Sequence, residues 1–265
     1  MVMSLEVREA HFGYPGGPPV LRGVNLHVPS GEVACILGPN GCGKSTLLKC
    51  VARLLALGHG AVQVGGQDVA TLRREQIAQL IGYIPQEHVL SFPYTVRQVV
   101  LMGRAPYVAP FASPTARDIT ISEEAMERVG IHHLANKRYT EISGGERQLA
   151  LIARVVAQQP RVLLLDEPTS HLDFRNQIQV LALIRMCARQ GMSVVMSSHF
   201  PNQALGVASH IALMKDGVFV EQGPPDQVIT EETLGTTYDV DVRIYTVTDP
   251  TDGRLIRFCS PAQLL

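Results

Sequence analysis

The nine residues "GPNGCGKST", Gly38 to Thr46, constrain this chain more than any other stretch. An unbroken apolar run, Val33 to Leu37, leads into them, and a segment with apolar residues at helical spacing (Leu47, Val51, Leu54, Leu55) leads out, ending at Gly58. A short continuous apolar run reads as a strand buried on both faces, and the spacing after the loop reads as a helix. The chain must therefore pass from buried strand to helix through three glycines and one lysine. Glycines at such a junction let the backbone curl until several N–H groups face one anion. The following helix adds the positive end of its dipole. Gly-x-x-x-x-Gly-Lys-Ser in this context is the phosphate-binding loop pattern. Gly38, Pro39, Asn40, Gly41, Cys42, Gly43 and Thr46 are the candidates to wrap a nucleotide's phosphates; the loop alone does not choose between a kinase, a GTPase, a motor and a transporter ATPase. Lys44 is placed to reach the β- and γ-phosphates, and Ser45 to ligate Mg²⁺.

The other elements supply a sheet for that loop. Leu21 to Val28 predicts a half-buried strand, with Leu21, Gly23, Asn25 and His27 on one face and Arg22, Val24, Leu26 and Val28 on the other. "VQVGGQDV" predicts a hairpin at Gly65-Gly66, and "IALMKDGVFV" another at Asp216-Gly217. "VLLLD" (Val162 to Asp166) and "SVVMSS" (Ser193 to Ser198) read as strands. The helix between them would carry Ile178, Leu181, Ile184 and Ala188 on one face. From about Glu87 to Gln159 helical patterns dominate. Strands alternating with helices imply a parallel core sheet with covered faces. The expected fold is α/β: a P-loop NTPase (RecA-like) core, an N-terminal antiparallel β-subdomain, and a helical subdomain over about 87–160 inserted between two core strands. "YDVDVRIYTVTDPTDGRLIRF" near the end reads as a small strand-rich tail.

Net charge is −1 over 265 residues, which speaks against a broad nucleic-acid footprint. No apolar run approaches the ~18 residues of a membrane span. "MVMSLEVREAHF" carries Glu6 and Glu9 and lacks the apolar core of a secretory signal, so a cytosolic protein is expected. The five cysteines, Cys35, Cys42, Cys50, Cys187 and Cys259, are odd in number and never spaced C-x-x-C. Neither a disulfide framework nor a zinc site follows. The adjacent His132 and His133 cannot share a helix face and read as surface residues. Cys42, inside the loop, is expected to make the protein sensitive to thiol reagents, with MgATP slowing the reaction.

"RVLLLDEPTS" delivers Asp166 and Glu167 at the C-terminal edge of a strand, where open α/β sheets bind ligands. Asp166 would stand behind Mg²⁺, through water or Ser45. Glu167 is the better general base, placed to polarise a water for attack on the γ-phosphate. "ISGGERQLALIARVVAQQP" puts Ser143, Gly144 and Gly145 at the start of a second helix, a second anion site. The two anion sites lie too far apart in sequence to presume one pocket. A head-to-tail pair of chains would bring them together, each ATP lying between the phosphate loop of one copy and the Ser-Gly-Gly of the other.

Taken together, these residues resemble the nucleotide-binding subunit of ABC transporters. "ISGGERQ" resembles that family's signature, usually written LSGGQ. Tyr14 in "FGY" resembles the aromatic that stacks on adenine. Gln86 in "YIPQE" resembles the glutamine that senses Mg²⁺ and water and abuts the membrane partner. Ser170 to Asp173, "SHLD", resembles the loop communicating between the two sites, so Asp173 joins the nucleotide-binding set. His199 resembles the histidine that contacts the γ-phosphate. Three departures stand out: Ile142 for Leu, Phe200 where many relatives have Asp, and Glu146 for Gln, an acid near the partner's γ-phosphate. The resemblance implies an ABC ATPase domain over 1–240 and a short extension over 241–265.

The chain carries one such domain, with no long coiled-coil interruption and no fused membrane helices, which leaves a separate ATPase subunit serving a permease. "YTVRQVVLMGRAPY" and "DEPTSHLDFRNQ" are similar to the ATPases of the iron-siderophore, haem and cobalamin uptake group. That similarity implies a second copy of the chain, two membrane permease subunits and a periplasmic or extracellular substrate-binding protein. It also implies a peripheral position on the cytoplasmic face, no nucleic-acid partner, and residues 86–104 as the seat of a permease coupling helix. A molybdate or other oxyanion importer, and a cytosolic ABC-type ATPase uncoupled from transport, remain alternatives.

Overall fold

The computed structural model describes residues 4–86 and 93–262. Its centre is a six-stranded sheet. Five strands are parallel: β3 (Val33–Leu37), β6 (Ile81–Ile84), β7 (Val162–Leu165), β8 (Ser193–Ser198) and β9 (His210–Lys215). β10 (Val218–Gly223) closes one edge antiparallel to β9. The order is β10-β9-β3-β8-β7-β6, so β3 lies between β8 and β9, with β7 one strand beyond. Leu37 pairs with Ser198, Met196 with Leu165, and Leu165 with Ile84. That register brings the chain segments after β3, β6, β7 and β8 out at one edge. Every residue of β3, β7 and β8 is buried, as expected for strands covered on both faces.

β6 was not among the strands read from sequence. It has only four residues, and Gly82 interrupts its apolar character. A Cβ at Gly82 would lie 2.4 Å from Val155 Cγ1. The glycine is there so that helix α5 (Gly144–Gln158) can lie close against the sheet.

The N-terminal sheet is antiparallel, order β2-β1-β4-β5, with β1 (Leu5–Gly13), β2 (Pro19–Val28), β4 (His59–Val64) and β5 (Gln67–Asp68). The alternation expected for residues 21–28 holds only from Val24 onward. Leu21 is fully buried together with Val24, Leu26 and Val28. A bulge causes this: Gly23 takes φ +78, Glu9 opposite takes φ +46, and the register shifts between Val7 and Ala10. The Asn25 side chain accepts from the Glu9 N–H at 2.9 Å and holds the bulge. Both hairpins fall where expected. Asp216 and Gly217 both have positive φ, the geometry that a two-residue turn of this twist needs.

Nine α-helices are found among the described residues. α1 (Lys44–Val51) leaves the glycine loop. It ends earlier than expected, because Arg53 turns left-handed (φ +54) and Leu54 donates back to the Lys49 carbonyl. Leu54 is consequently 62% exposed. α2 (Arg74–Leu80) precedes β6. α3 (Val96–Leu101), α4 (Ala116–Val129) and α5 (Gly144–Gln158) lie between β6 and β7 in sequence. Arg104 and Asp118, both buried, tie these helices together: Arg104 donates to Asp118 Oδ1 at 3.0 Å and to the Ala157 carbonyl at 2.9 Å. The Thr115 hydroxyl and amide, helped by Arg104, hold the Asp118 carboxyl down to about 2.

α6 (Phe174–Arg189) buries Val180, Leu183, Ile184, Cys187 and Ala188, the i, i+3, i+4, i+7, i+8 stripe of an amphipathic helix. This stripe differs from the expected one. Ile178 is 53% exposed and Leu181 is half-buried. α7 (Pro201–Val207), α8 (Pro225–Val228) and α9 (Glu231–Tyr238) follow, and then a separate hairpin of β11 (Val242–Thr248) and β12 (Leu255–Pro261). All five cysteines are free thiols, and His132 and His133 are exposed. Among the described residues no helix is long and apolar enough to cross a membrane.

Candidate nucleotide site

A cavity of about 590 Å³ opens where β3, β6, β7 and β8 end. The glycine loop and the start of α1 form one wall with Asn40, Gly41, Gly43, Lys44, Ser45 and Thr46. Gln86, Glu167, Ser170, His171, His199 and Phe200 form the other. α1 begins at Gly43 with φ +113 and no side-chain cap, so its first amides are left to a ligand. A side chain there would meet the Val20 carbonyl and Leu21 at 3.2 Å. Gly38 is required by space, since a Cβ would lie 2.2 Å from the Met214 carbonyl oxygen. The Lys44 ammonium donates to the carbonyls of Gly38 and Pro39 at 2.7 and 2.9 Å.

Cys42 differs from its neighbours. Its side chain does not line the cavity. It lies beneath the loop, beside Gly38, and only 6% of the residue is exposed. Burial pushes its thiol up, and nearby Lys44 offsets this only in part. A protonated, covered thiol is a poor target for a reagent, which counts against the sensitivity expected from sequence.

Asp166 is buried under the loop. Its Oδ1 accepts from Ser45 Oγ at 2.9 Å and from Ser197 Oγ at 2.7 Å. Two hard oxygen donors held together at a phosphate-binding wall fit Mg²⁺, which takes one or two protein oxygens and completes its shell with phosphate and water. Glu167 comes next, left-handed at φ +47, with its amide donating to Ser197 Oγ at 2.9 Å. That turn aims its carboxylate into the cavity. Gln86 Nε2 and Ser170 Oγ each donate to Glu167 Oε2 at 3.1 Å. His199 Nδ1 lies 3.2 Å from the same oxygen, off the line of a hydrogen bond. One carboxylate oxygen thus gathers an amide, a hydroxyl and an imidazole from three different chain segments.

Other expected site residues lie elsewhere. Tyr14 does not line the cavity; it is 45% exposed with its ring edge-on to Phe12. Asp173 accepts from the Asn176 N–H at 2.8 Å and caps α6. Ser143, Gly144, Gly145 and Glu146 begin α5 away from the cavity. Glu146 Oε2 accepts from the Ser143 N–H at 2.7 Å, and Ser143 Oγ accepts from the Glu146 N–H at 3.3 Å. This reciprocal capping box turns the acid back onto its own helix.

Three residues of the site had not been picked out singly: Ser170, His171 and Ser197. Ser197 was legible in principle, because polar residues closing an otherwise apolar strand at the ligand edge call for partners. His171 takes φ +60, which sequence does not reveal.

A phosphate-cradling loop between buried strand and helix, with an acid pair one strand away, defines a P-loop nucleoside triphosphatase. The profile of the ABC transporter family matches residues 21–170. The hemin import ATP-binding protein HmuV of Streptomyces coelicolor is 39% identical over 241 residues, covering 91% of this chain and 85% of that protein. The ferric enterobactin transport ATP-binding protein FepC of Escherichia coli is 35% identical over 253 residues, covering 95% and 92%. Among solved structures, one described as an inward-facing transporter of the metal-chelate type superposes with TM-score 0.87 at 31% identity, covering 98% of both chains. The chain belongs to the ABC transporter family. It is an ATP-binding subunit whose ATP hydrolysis is coupled to transport.

Proposed function

We propose that this chain powers an importer for a metal-chelate substrate of the iron-siderophore, haem or cobalamin type. It acts as a head-to-tail pair around two ATP and Mg²⁺, on the cytoplasmic face of the membrane. Two permease subunits and an external substrate-binding protein complete the assembly. One observation carries the chemical part: Gln86, Ser170 and His199 converge on Glu167 Oε2 in the cavity that the phosphate loop walls. The substrate class rests on the names of relatives that cover most of this chain.

In this reading Lys44 exchanges the Gly38 and Pro39 carbonyls for phosphate oxygens. Ser45 and Asp166 would hold Mg²⁺, which neutralises charge developing on the phosphoryl oxygens. Glu167 orients the attacking water and takes up its proton. His199 stands close enough to orient Glu167 and to reach a γ-phosphate. Gln86 ties the base to the start of residues 86–104, the proposed seat of the permease coupling helix; residues 87–92 lie outside the described residues. Pairing of two copies is supported by the Ser143 helix start, which lies outside its own chain's cavity. An exposed apolar patch beside Asp173, with Phe174 78% and Ile178 53% exposed, supports it further.

Glu167→Gln should bind ATP, pair and stall. Hydrolysis at the wild-type rate would remove Glu167 from the role of base. Uptake through the co-purified permease, compared for haem, ferric siderophore, cobalamin and molybdate, tests the substrate class. Molybdate uptake alone would overturn it, as would ATPase stimulation by DNA or ribosomes in place of a permease.

A further inference from the structure

The C-terminal hairpin is fastened to the chain segment that carries His199. Asn202 lies on α7, three residues after His199. Its side-chain amide meets the backbone of Cys259 on β12 in two directions: Asn202 Nδ2 donates to the Cys259 carbonyl at 3.0 Å, and the Cys259 N–H donates to Asn202 Oδ1 at 2.8 Å. The amide thereby adds one rung to the edge of β12, as a further strand would. From the other side, Gln203 Oε1 accepts from Thr169 Oγ1 at 2.7 Å and from Ser198 Oγ at 3.3 Å. His199 is held between the loop after Glu167 and the hairpin.

The hairpin itself is anchored twice more. Arg257 donates to the carbonyls of Asp226 and Ile229 at 3.0 and 2.9 Å. Glu231 accepts from the Ile244 N–H at 2.9 Å and from Arg243 at 2.8 Å. Next to the Asn202 bridge lies a second cavity of about 900 Å³, reached by His199, Phe200, Tyr238, Val240 and Val242. Beside that cavity two directional hydrogen bonds join the start of α7 to the hairpin. Imidazole position matters because a displacement near 1 Å at a reacting group costs up to about 100-fold in rate.

We infer that Asn202 is a positioning residue for ATP hydrolysis: by clipping the start of α7 to β12 it sets where His199 stands against Glu167 and the γ-phosphate. The inference rests on the reading of His199 given above. The role of the hairpin is then to supply a fixed edge for that clip.

The test is ATPase kinetics of full-length protein with its permease. Asn202→Ala should lower kcat roughly 5–10-fold and leave ATP affinity, read by a fluorescent ATP analogue, within about twofold. Asn202→Asp, an isostere that loses the donor, should fall between the two. His199→Ala should lower kcat further, and the double variant should fall no lower than His199→Ala alone. Asn202→Cys places two thiols in contact, since Cys259 Sγ already lies 3.0 Å from Asn202 Oδ1. Diamide should remove two electrons and two protons from that pair, form the disulfide and restore kcat. Dithiothreitol should reverse this, and the Cys259→Ser version should not respond. Unchanged kcat in Asn202→Ala, or additive losses in the double variant, would overturn the inference while leaving His199 in place. Unchanged kcat in His199→Ala would instead remove the reading beneath it.

Discussion

The starts of α1 and α5 are both helix N-termini led by glycines, and they are built in opposite ways. At α1 no side chain caps the amides; Gly43 is left-handed and Lys44 rests on loop carbonyls. The amides need an outside acceptor, and the cavity wall is where they find it. At α5 a capping box takes up two of the amides: Ser143 and Glu146 cap each other, and Gly145 packs so tightly on Asn176 that a Cβ would lie 2.3 Å from Nδ2. One terminus has no side-chain cap and the other is capped by its own serine and acid. A Ser-Gly-Gly helix start with its own capping box leaves fewer amides to an outside anion than an uncapped glycine start does. In the proposed pair the open face of Gly144 meets the partner's nucleotide, and Glu146 sets how readily it does so.

The largest expected effects fall on the α1 side. Glu167→Gln should reduce kcat by about 10²–10⁴-fold, the range of a lost general base. Lys44→Ala should weaken ATP binding by roughly 10–100-fold, as one charge-assisted contact is lost. Equilibrium ATP titration checks this, and unchanged affinity would break the distinction between the two termini from the α1 side. Ser143→Ala removes only a cap. It should cost about 1 kcal/mol in stability, seen in urea unfolding, with ATP affinity of the isolated chain unchanged. A loss of affinity in the isolated chain would mean that α5 reaches its own cavity.

Why the α1 site was legible and the capping of α5 by Glu146 was not follows from this difference. Gly38, Gly43, Lys44 and Asp166 act through backbone geometry and local spacing, which the sequence carries directly. Glu146 acts through a choice between two partners, its own helix and a neighbour, and no spacing rule decides that. The same holds elsewhere. The apolar runs of β3, β7 and β8 announced themselves, while β6, with Gly82 inside it, did not. The face of α6 was misassigned because Ile178 is apolar but faces outward beside Phe174, on the patch the proposed pairing would cover. The bulge at Glu9 and Gly23 buried Leu21 against the alternation, because register depends on the partner strand. The Asn202 bridge joins residues 57 positions apart and has no sequence pattern at all.

A finer effect concerns the charge that closes α5. Glu146 sits below its ordinary value of 4.5, first because the Ser143 N–H donates to it. A carboxylate with a depressed folded value adds stability that is fully present above the unfolded value and is lost as pH falls through the folded one. Glu146→Gln keeps a capping side chain without the charge. The variant should lack the increment that the wild type has above about pH 4.5 and loses on acidification, measured as a shallower fall of the unfolding midpoint as pH is lowered. An identical pH profile would show that the charge of Glu146 contributes nothing to stability.

The smallest effect expected is on thiol chemistry, and it separates the loop's backbone role from its side chains. Cys42 is covered and its thiol is pushed up, whereas Cys259 is the one cysteine that is half-exposed. A maleimide should therefore modify Cys259 first in the native chain, and Cys42 slowly, on the timescale of local opening. ATP should slow Cys42 further by stabilising the loop. Mass spectrometry of the labelled chain assigns each site. Rapid modification of Cys42 without nucleotide would mean that its side chain faces the phosphate side of the loop. The inward packing against Gly38 would then be wrong, and the contrast between an open α1 start and a closed α5 start would rest on the amides alone.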